Sequence, residues 1–254
     1  MSLAHTTLGA GPRRAVVAHG ILGSGRNWRS LIRKLAARSP EWTFSLVDLR
    51  NHGDSHGLAG PHDLAACARD VMDLQPELVI GHSFGGKVAL ACLRDHGLPE
   101  LIVLDALPGP LTGTSQVDEV IAALRKVPVP LQQRNELGDH LPLSRSLVAW
   151  MSTNLRAGPD GLRWRFDLTA VEEMMADYAR SDFWPLVERT DAPITFVRAG
   201  RSDRWNPEVL ARFTELPPWS PVRLQTLPNA GHWLHVDDPD GLLDVLVACL
   251  GPGQ

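Results

Sequence analysis

The chain has 254 residues, 44% of them hydrophobic and 21% charged, with 25 Lys+Arg against 29 Asp+Glu for a formal net charge of −4. That length fits one domain with insertions, and that composition excludes an intrinsically disordered chain. No basic run is long enough to follow a phosphate backbone and no stretch approaches ~18 uninterrupted apolar residues, so neither nucleic acid nor a membrane is an expected partner.

Short apolar runs at residues 15–18, 43–47, 78–80 and 101–104, each ending in glycine or a polar cluster and followed by a helix-length segment, carry the rhythm of parallel βαβ units. Apolar residues at three- and four-residue spacing predict the intervening helices at 28–37, 64–74 and 86–94. Residues 1–11 lack the charged start and continuous apolar block of a secretory signal, and any strand preceding residue 14 must be short. The three cysteines, Cys67, Cys92 and Cys249, have no metal-ligand spacing. They read as free core thiols of a reducing compartment, with the cytoplasm as the expected location.

The first strand opens into His19-Gly20-Ile21-Leu22-Gly23-Ser24, a glycine-rich loop suited to presenting a backbone N–H. Ile21 is the expected donor and His19 a brace for the loop. No H-x-x-x-H or cysteine pair accompanies His19, which argues against a metal site.

The third run leads into Gly81-His82-Ser83-Phe84-Gly85-Gly86, a G-x-S-x-G between strand-like and helix-like segments. A sharp strand-to-helix turn strains the serine and admits only small neighbours two positions to either side, which Gly81 and Gly85 satisfy. Such a turn lifts the hydroxyl above the strand ends and leaves the Phe84 N–H at a helix N-terminus, where it can stabilise an oxyanion. The competing reading is a glycine-rich turn with an inert serine.

From residue 108 to 191 the alternation stops, and helix-period segments at 117–124, 144–155 and 168–178 appear without a clear strand. This reads as a helical cap inserted into a core made of residues 1–107 and 192–254. Strands resume at 194–197 and 222–226, six in all, and the chain ends in a helix at 241–250. A general base working near neutral pH favours histidine. Of the ten histidines, His232, in Pro228-Asn229-Ala230-Gly231-His232-Trp233, follows the last strand on a loop that returns to the serine, whereas His235 reads as structural. Asp105 and Asp203 both lie at strand ends between serine and histidine, so the orienting acid has two candidates.

These blocks together resemble the α/β-hydrolase superfamily, and within it the YbfF-type esterases and their mitochondrial relatives. The resemblance covers most of the chain through His19–Ser24 with Asn27-Trp28, Asp48-Leu49-Arg50-Asn51-His52-Gly53-Asp54-Ser55, Gly81–Lys87 and the His232 loop. It implies an α/β-hydrolase fold, with a mostly parallel central sheet flanked by helices and the cap after the sixth strand position of that fold. Val103-Leu104-Asp105-Ala106 resembles the family's acid-bearing strand end and favours Asp105. The resemblance also implies an accessory hydrogen bond from Ser202 near the histidine. The expected chemistry is cofactor-free hydrolysis of a small ester-like substrate with short or medium acyl chains, through Ser83, His232 and Asp105. Thioester, amide and C–C bond cleavage on the same groups, or a ligand-binding protein with negligible turnover, are the alternatives.

Overall fold

A computed structural model of the chain describes residues 2–111 and 116–251. Its nine strands are β1 (His5–Gly9), β2 (Arg13–Ala18), β3 (Trp42–Val47), β4 (Leu78–His82), β5 (Glu100–Leu104), β6 (Leu155–Gly158), β7 (Gly161–Trp164), β8 (Ile194–Ala199) and β9 (Val222–Leu227). Seven of them form the central sheet in the order β1-β3-β2-β4-β5-β8-β9. Six run parallel, and only the edge strand β1 is antiparallel, against β3.

The period of two sorts the strand residues between two cores. Ala15, Val17, Leu78, Ile80, Ile102 and Leu104 face one side, while Val16, Ala18, Val79, Leu101 and Val103 face the other. On the first side pack α1 (Arg29–Arg38), through Leu31, Ile32 and Leu35, and the last helix, through Leu242 and Leu246. On the second side pack α2 (Leu64–Met72) and α3 (Phe84–His96). Burial on both faces is why β4 is wholly buried and reads as a continuous apolar run. The helices begin where a polar cap is available: Asp63 accepts from the Ala66 N–H at 2.7 Å to open α2. Gly97, at φ 67, closes α3 in the left-handed conformation.

Between β5 and β8 the chain leaves the sheet. It forms α4 (Gln116–Leu124), α5 (Leu137–His140), α6 (Arg145–Ser152), the β6–β7 hairpin, α7 (Leu168–Arg180) and α8 (Trp184–Val187) before returning. The hairpin corrects the expectation of a strand-free segment, and the helix expected over 144–155 ends at Ser152. Pro159 and Asp160 form the two-residue connection, and Gly161, at φ 138, pairs with Gly158. Several contacts tie this insertion to the core, among them Asp177 on α7, which accepts from the Leu64 N–H at 2.7 Å, and the Asp167 N–H, which reaches the Asn51 carbonyl at 3.0 Å. After β8 come α9 (Pro207–Thr214), and after β9 α10 (Leu234–Asp237) and α11 (Pro239–Leu250). Among the described residues no helix is long and apolar enough to cross a membrane.

Candidate active site

The turn from β4 into α3 has the strain its sequence predicts. Ser83 sits at φ 52 and ψ −114, a conformation that costs a non-glycine residue about 1–3 kcal/mol. A Cβ on Gly81 would lie 2.1 Å from the Gly85 carbonyl oxygen, and one on Gly85 would lie 2.4 Å from that of Ala18. Both glycines are therefore fixed by backbone approach. The strain is held by the Ser83 N–H to the Leu104 carbonyl, 2.9 Å, and the Gly86 N–H to the Ser83 carbonyl, 2.9 Å. Phe84 is the first residue of α3, so its N–H stands at the positive end of a 13-residue helix.

His232 arrives on the loop after β9. Its Nε2 lies 3.1 Å from Ser83 Oγ and its Nδ1 2.7 Å from Asp105 Oδ2. Asp105 follows β5 with φ 44 and is fully buried. Its other oxygen accepts from the Trp205 Nε1–H at 2.7 Å and the Ala199 N–H at 2.9 Å. Burial alone would raise the Asp105 carboxyl, but His232 together with the Ala199 and Trp205 donors outweighs it and holds the group below the usual carboxylate range. Asp203, the other acid candidate, is exposed at the cleft rim and does not meet the histidine. Ser202 lines the same cleft, and no hydrogen bond from its hydroxyl reaches His232 or Asp105. The additional donor to the acid is Trp205.

The loop after β2 is held from three directions. Leu22 adopts φ 60, its N–H is accepted by His52 Nε2 at 3.1 Å, and its carbonyl accepts from Asn154 Nδ2 at 2.7 Å. His19 makes two bonds beside this loop: its Nδ1–H donates to the Gly20 carbonyl at 2.8 Å and its Nε2 accepts from the Leu49 N–H at 2.9 Å. Burial lowers His19 to about 4 and His52 to about 3, the latter helped by the neighbouring His19, so both are neutral imidazoles with one donor and one acceptor. Asp48 completes the frame, accepting from the Gly25 and Asp54 N–H groups at 2.9 Å each. Ile21, Ser83 and Phe84 line one small chamber at the end of this frame.

His82 holds the histidine loop. Its Nε2–H donates to the His232 carbonyl at 2.8 Å, and burial, followed by the nearby His232 and His235, keeps its pKa well below the usual value. His235 stacks on Trp28 with ring centroids 4.4 Å apart. The serine opens onto a cleft of about 1060 Å³. Part of its wall comes from the insertion, including Leu111, Val120, Leu147 and Trp150, the last edge-on to Trp233 at 4.6 Å. Seven of these residues, Asn154, Tyr178, Arg204, Trp205, His82, Asp48 and His52, have no role legible in the sequence, and only the last three stand within a motif.

A hydroxyl, an imidazole and a buried carboxylate in one hydrogen-bonded line at the carboxyl ends of parallel strands are the layout of a nucleophilic hydrolase on a doubly wound sheet. The alpha/beta hydrolase family model matches residues 15–245. The chain belongs to that family, and it is a hydrolase. It is similar to the sn-1-specific diacylglycerol lipase ABHD11 of Mus musculus, at 30% identity over 92% of this chain and 80% of that protein. It is also similar to Esterase YbfF of Escherichia coli (strain K12), at 27% identity over 90% and 89% of the two chains. Among solved structures, a marine microorganism esterase superposes with a TM-score of 0.83 at 26% identity, covering 97% of this chain and 98% of that one.

Proposed function

We propose that this protein is a serine esterase that cleaves carboxylic esters of short or medium acyl chains, with Ser83 as nucleophile, His232 as general base and acid, and Asp105 as its orienting carboxylate. The observation that carries the reading is the line from Ser83 Oγ through His232 to Asp105, with steps of 3.1 and 2.7 Å. His232 takes the hydroxyl proton as Oγ bonds to the ester carbonyl carbon, and the Phe84 and Ile21 N–H groups hold the resulting oxyanion. Each such donor stabilises the transition state by about 3 kcal/mol. Collapse breaks the C–O bond to the alcohol, which leaves with the proton from His232. Water, deprotonated by the same imidazole, then releases the acid and restores Ser83.

Residues 108–191 act as the cap of this site, a role supported by their share of the cleft wall. A shallow chamber at the serine, about 10 Å³, against the much larger cleft favours a short acyl group at the reacting carbon and a bulkier alcohol. The three free cysteines fit a cytoplasmic location.

A fluorophosphonate probe should label the folded protein at Ser83, and Ser83→Ala should abolish the adduct. Labelling at another residue, or none in folded protein, refutes the nucleophile. On esters graded by acyl length, kcat/KM should fall toward long chains. A steady rise to long-chain triglycerides with interfacial activation refutes the short-chain assignment.

A further inference from the structure

The chamber beside Ser83 contains two polar groups that ester hydrolysis does not require. Apart from the serine and its backbone donors, its walls are Leu111, Val117 and Met175, with Tyr178 and Arg204. Arg204 is half-buried and is the only charged residue among those described in the chamber. Its guanidinium has no hydrogen bond or ion pair among the described residues. By contrast, buried Arg50 is ion-paired with Asp70 and half-buried Arg165 with Asp54. The acidic residues of the wider cleft, Glu119, Asp182, Asp203 and Glu208, make no ion pair with it.

Tyr178 is the single tyrosine of the chain and is 3% exposed. Its ring centroid lies 5.9 Å from that of Phe84, and the residue lines the chamber together with Ser83 and Arg204. Lys87 fixes it from below, with Nζ 4.4 Å from the ring centroid and donating to the Tyr178 carbonyl at 2.8 Å. A half-buried cation beside apolar walls, with no ion pair among the described residues, is an arrangement that an anionic ligand completes.

We propose that Arg204 and the Tyr178 hydroxyl form a carboxylate subsite on the acyl side of Ser83, so that the preferred substrates are monoesters of short dicarboxylic acids. This rests on Ser83 being the nucleophile. Arg204 lines both the chamber and the cleft, so a carboxylate carried a few bonds from the reacting carbon would meet it where the two join. The reaction is the hydrolysis already described: water is consumed, and an alcohol and a dicarboxylate are released.

The test compares monoethyl succinate with ethyl 4-methylpentanoate, in which an isopropyl group replaces the carboxylate at similar size, by following acid release. The wild-type protein should prefer the anionic ester in kcat/KM by about tenfold to a hundredfold, the range of a charge-assisted hydrogen bond. Arg204→Gln should bring that ratio close to one, Arg204→Lys should retain part of it, and Arg204→Glu should invert it. Tyr178→Phe should lower it by a smaller factor, and the ratio should shrink as salt is raised. Because each variant is read as a ratio, a general loss of activity does not mimic the effect.

A wild-type ratio near one, or one unchanged by Arg204→Gln, overturns the subsite while Ser83 labelling and neutral-ester turnover leave the esterase reading standing. If acetoxyacetate, which carries its anion on the alcohol side, shows the Arg204-dependent gain instead, the acyl-side assignment is overturned. Absence of both turnover and Ser83 labelling removes the esterase reading itself.

Discussion

Replacing Asp105 by asparagine tests the site at its most buried point, and the structure dictates which way the new amide must face. Oδ1 of Asp105 accepts from the Trp205 Nε1–H at 2.7 Å and the Ala199 N–H at 2.9 Å. An asparagine must keep its carbonyl oxygen there, since turning its NH₂ toward two donors would leave each unsatisfied at about 1–3 kcal/mol apiece. The NH₂ then points at His232 Nδ1 across the present 2.7 Å contact. It can only donate, so Nδ1 must become the acceptor and the ring proton moves to Nε2. That N–H faces Ser83 Oγ at 3.1 Å and cannot take its proton. The serine-protease precedent for this loss of tautomer is a fall of about 10⁴ in kcat, or about 5 kcal/mol of barrier. Kinetics on a short-chain ester, with circular dichroism and melting to verify folding, measure it. Asp203→Asn should keep most of the activity. Adding Trp205→Phe to Asp105→Asn removes one of the two donors and should return part of the lost rate, because the amide can then turn at lower cost. An active Asp105→Asn with an inactive Asp203→Asn would refute the assignment and the geometric reasoning together.

The buried histidines set a pH limit on stability. Unfolded imidazoles bind a proton near 6.5, while burial holds His19 to about 4 and His52 to about 3, so stability is fully present above pH 6.5 and is lost as pH falls toward 4. The loss is on the order of 2 kcal/mol per histidine by about pH 5, and equal melting temperatures at about pH 7.5 and pH 5 would contradict it. Ser83→Gly should melt higher than Ser83→Ala by roughly 1–2 kcal/mol, because glycine alone is unstrained at φ 52; equal melting points would argue against stored strain at the turn. Asn154→Ala removes the buried partner of the Leu22 carbonyl and should cost about 1–3 kcal/mol. Through the adjacent Ile21 it should also lower kcat about tenfold, with KM less affected; a change confined to KM would detach Asn154 from the oxyanion loop.

The fold was legible where burial left a pattern. The inner parallel strands are apolar on both faces and stand out as runs, whereas β1 is mostly exposed and has no such run, so its place at the sheet edge comes only from pairing with β3. The β6–β7 hairpin did carry a signal, Pro159-Asp160-Gly161, but the apolar spacing of α6 runs into it and the helix period obscures the boundary. The acid was ambiguous because Asp105 and Asp203 both follow strands. What separates them is the bonding of Asp105 to the neighbouring β8, with its own N–H to the Val197 carbonyl and its carboxylate to the Ala199 N–H, and a single chain cannot display that relation.

The same physical distinction separates the elbow from the residues that were missed. Ser83 is positioned by the backbone around it, and backbone crowding restricts its neighbours: a Cβ at Gly81 or Gly85 would lie within 2.4 Å of a carbonyl oxygen, so the constraint is written into adjacent letters. Asn154, Tyr178 and Trp205 are positioned by the tertiary fold. Asn154 meets Leu22 across 132 residues of chain and Trp205 meets Asp105 across 100, and neither contact restricts the identity of the residues beside it. A serine held by backbone strain therefore announces itself locally. Groups that meet Leu22 and Asp105 from far along the chain become visible only when the sheet brings distant segments to the same carboxyl edge, and so does the arginine on which the anionic-substrate proposal depends.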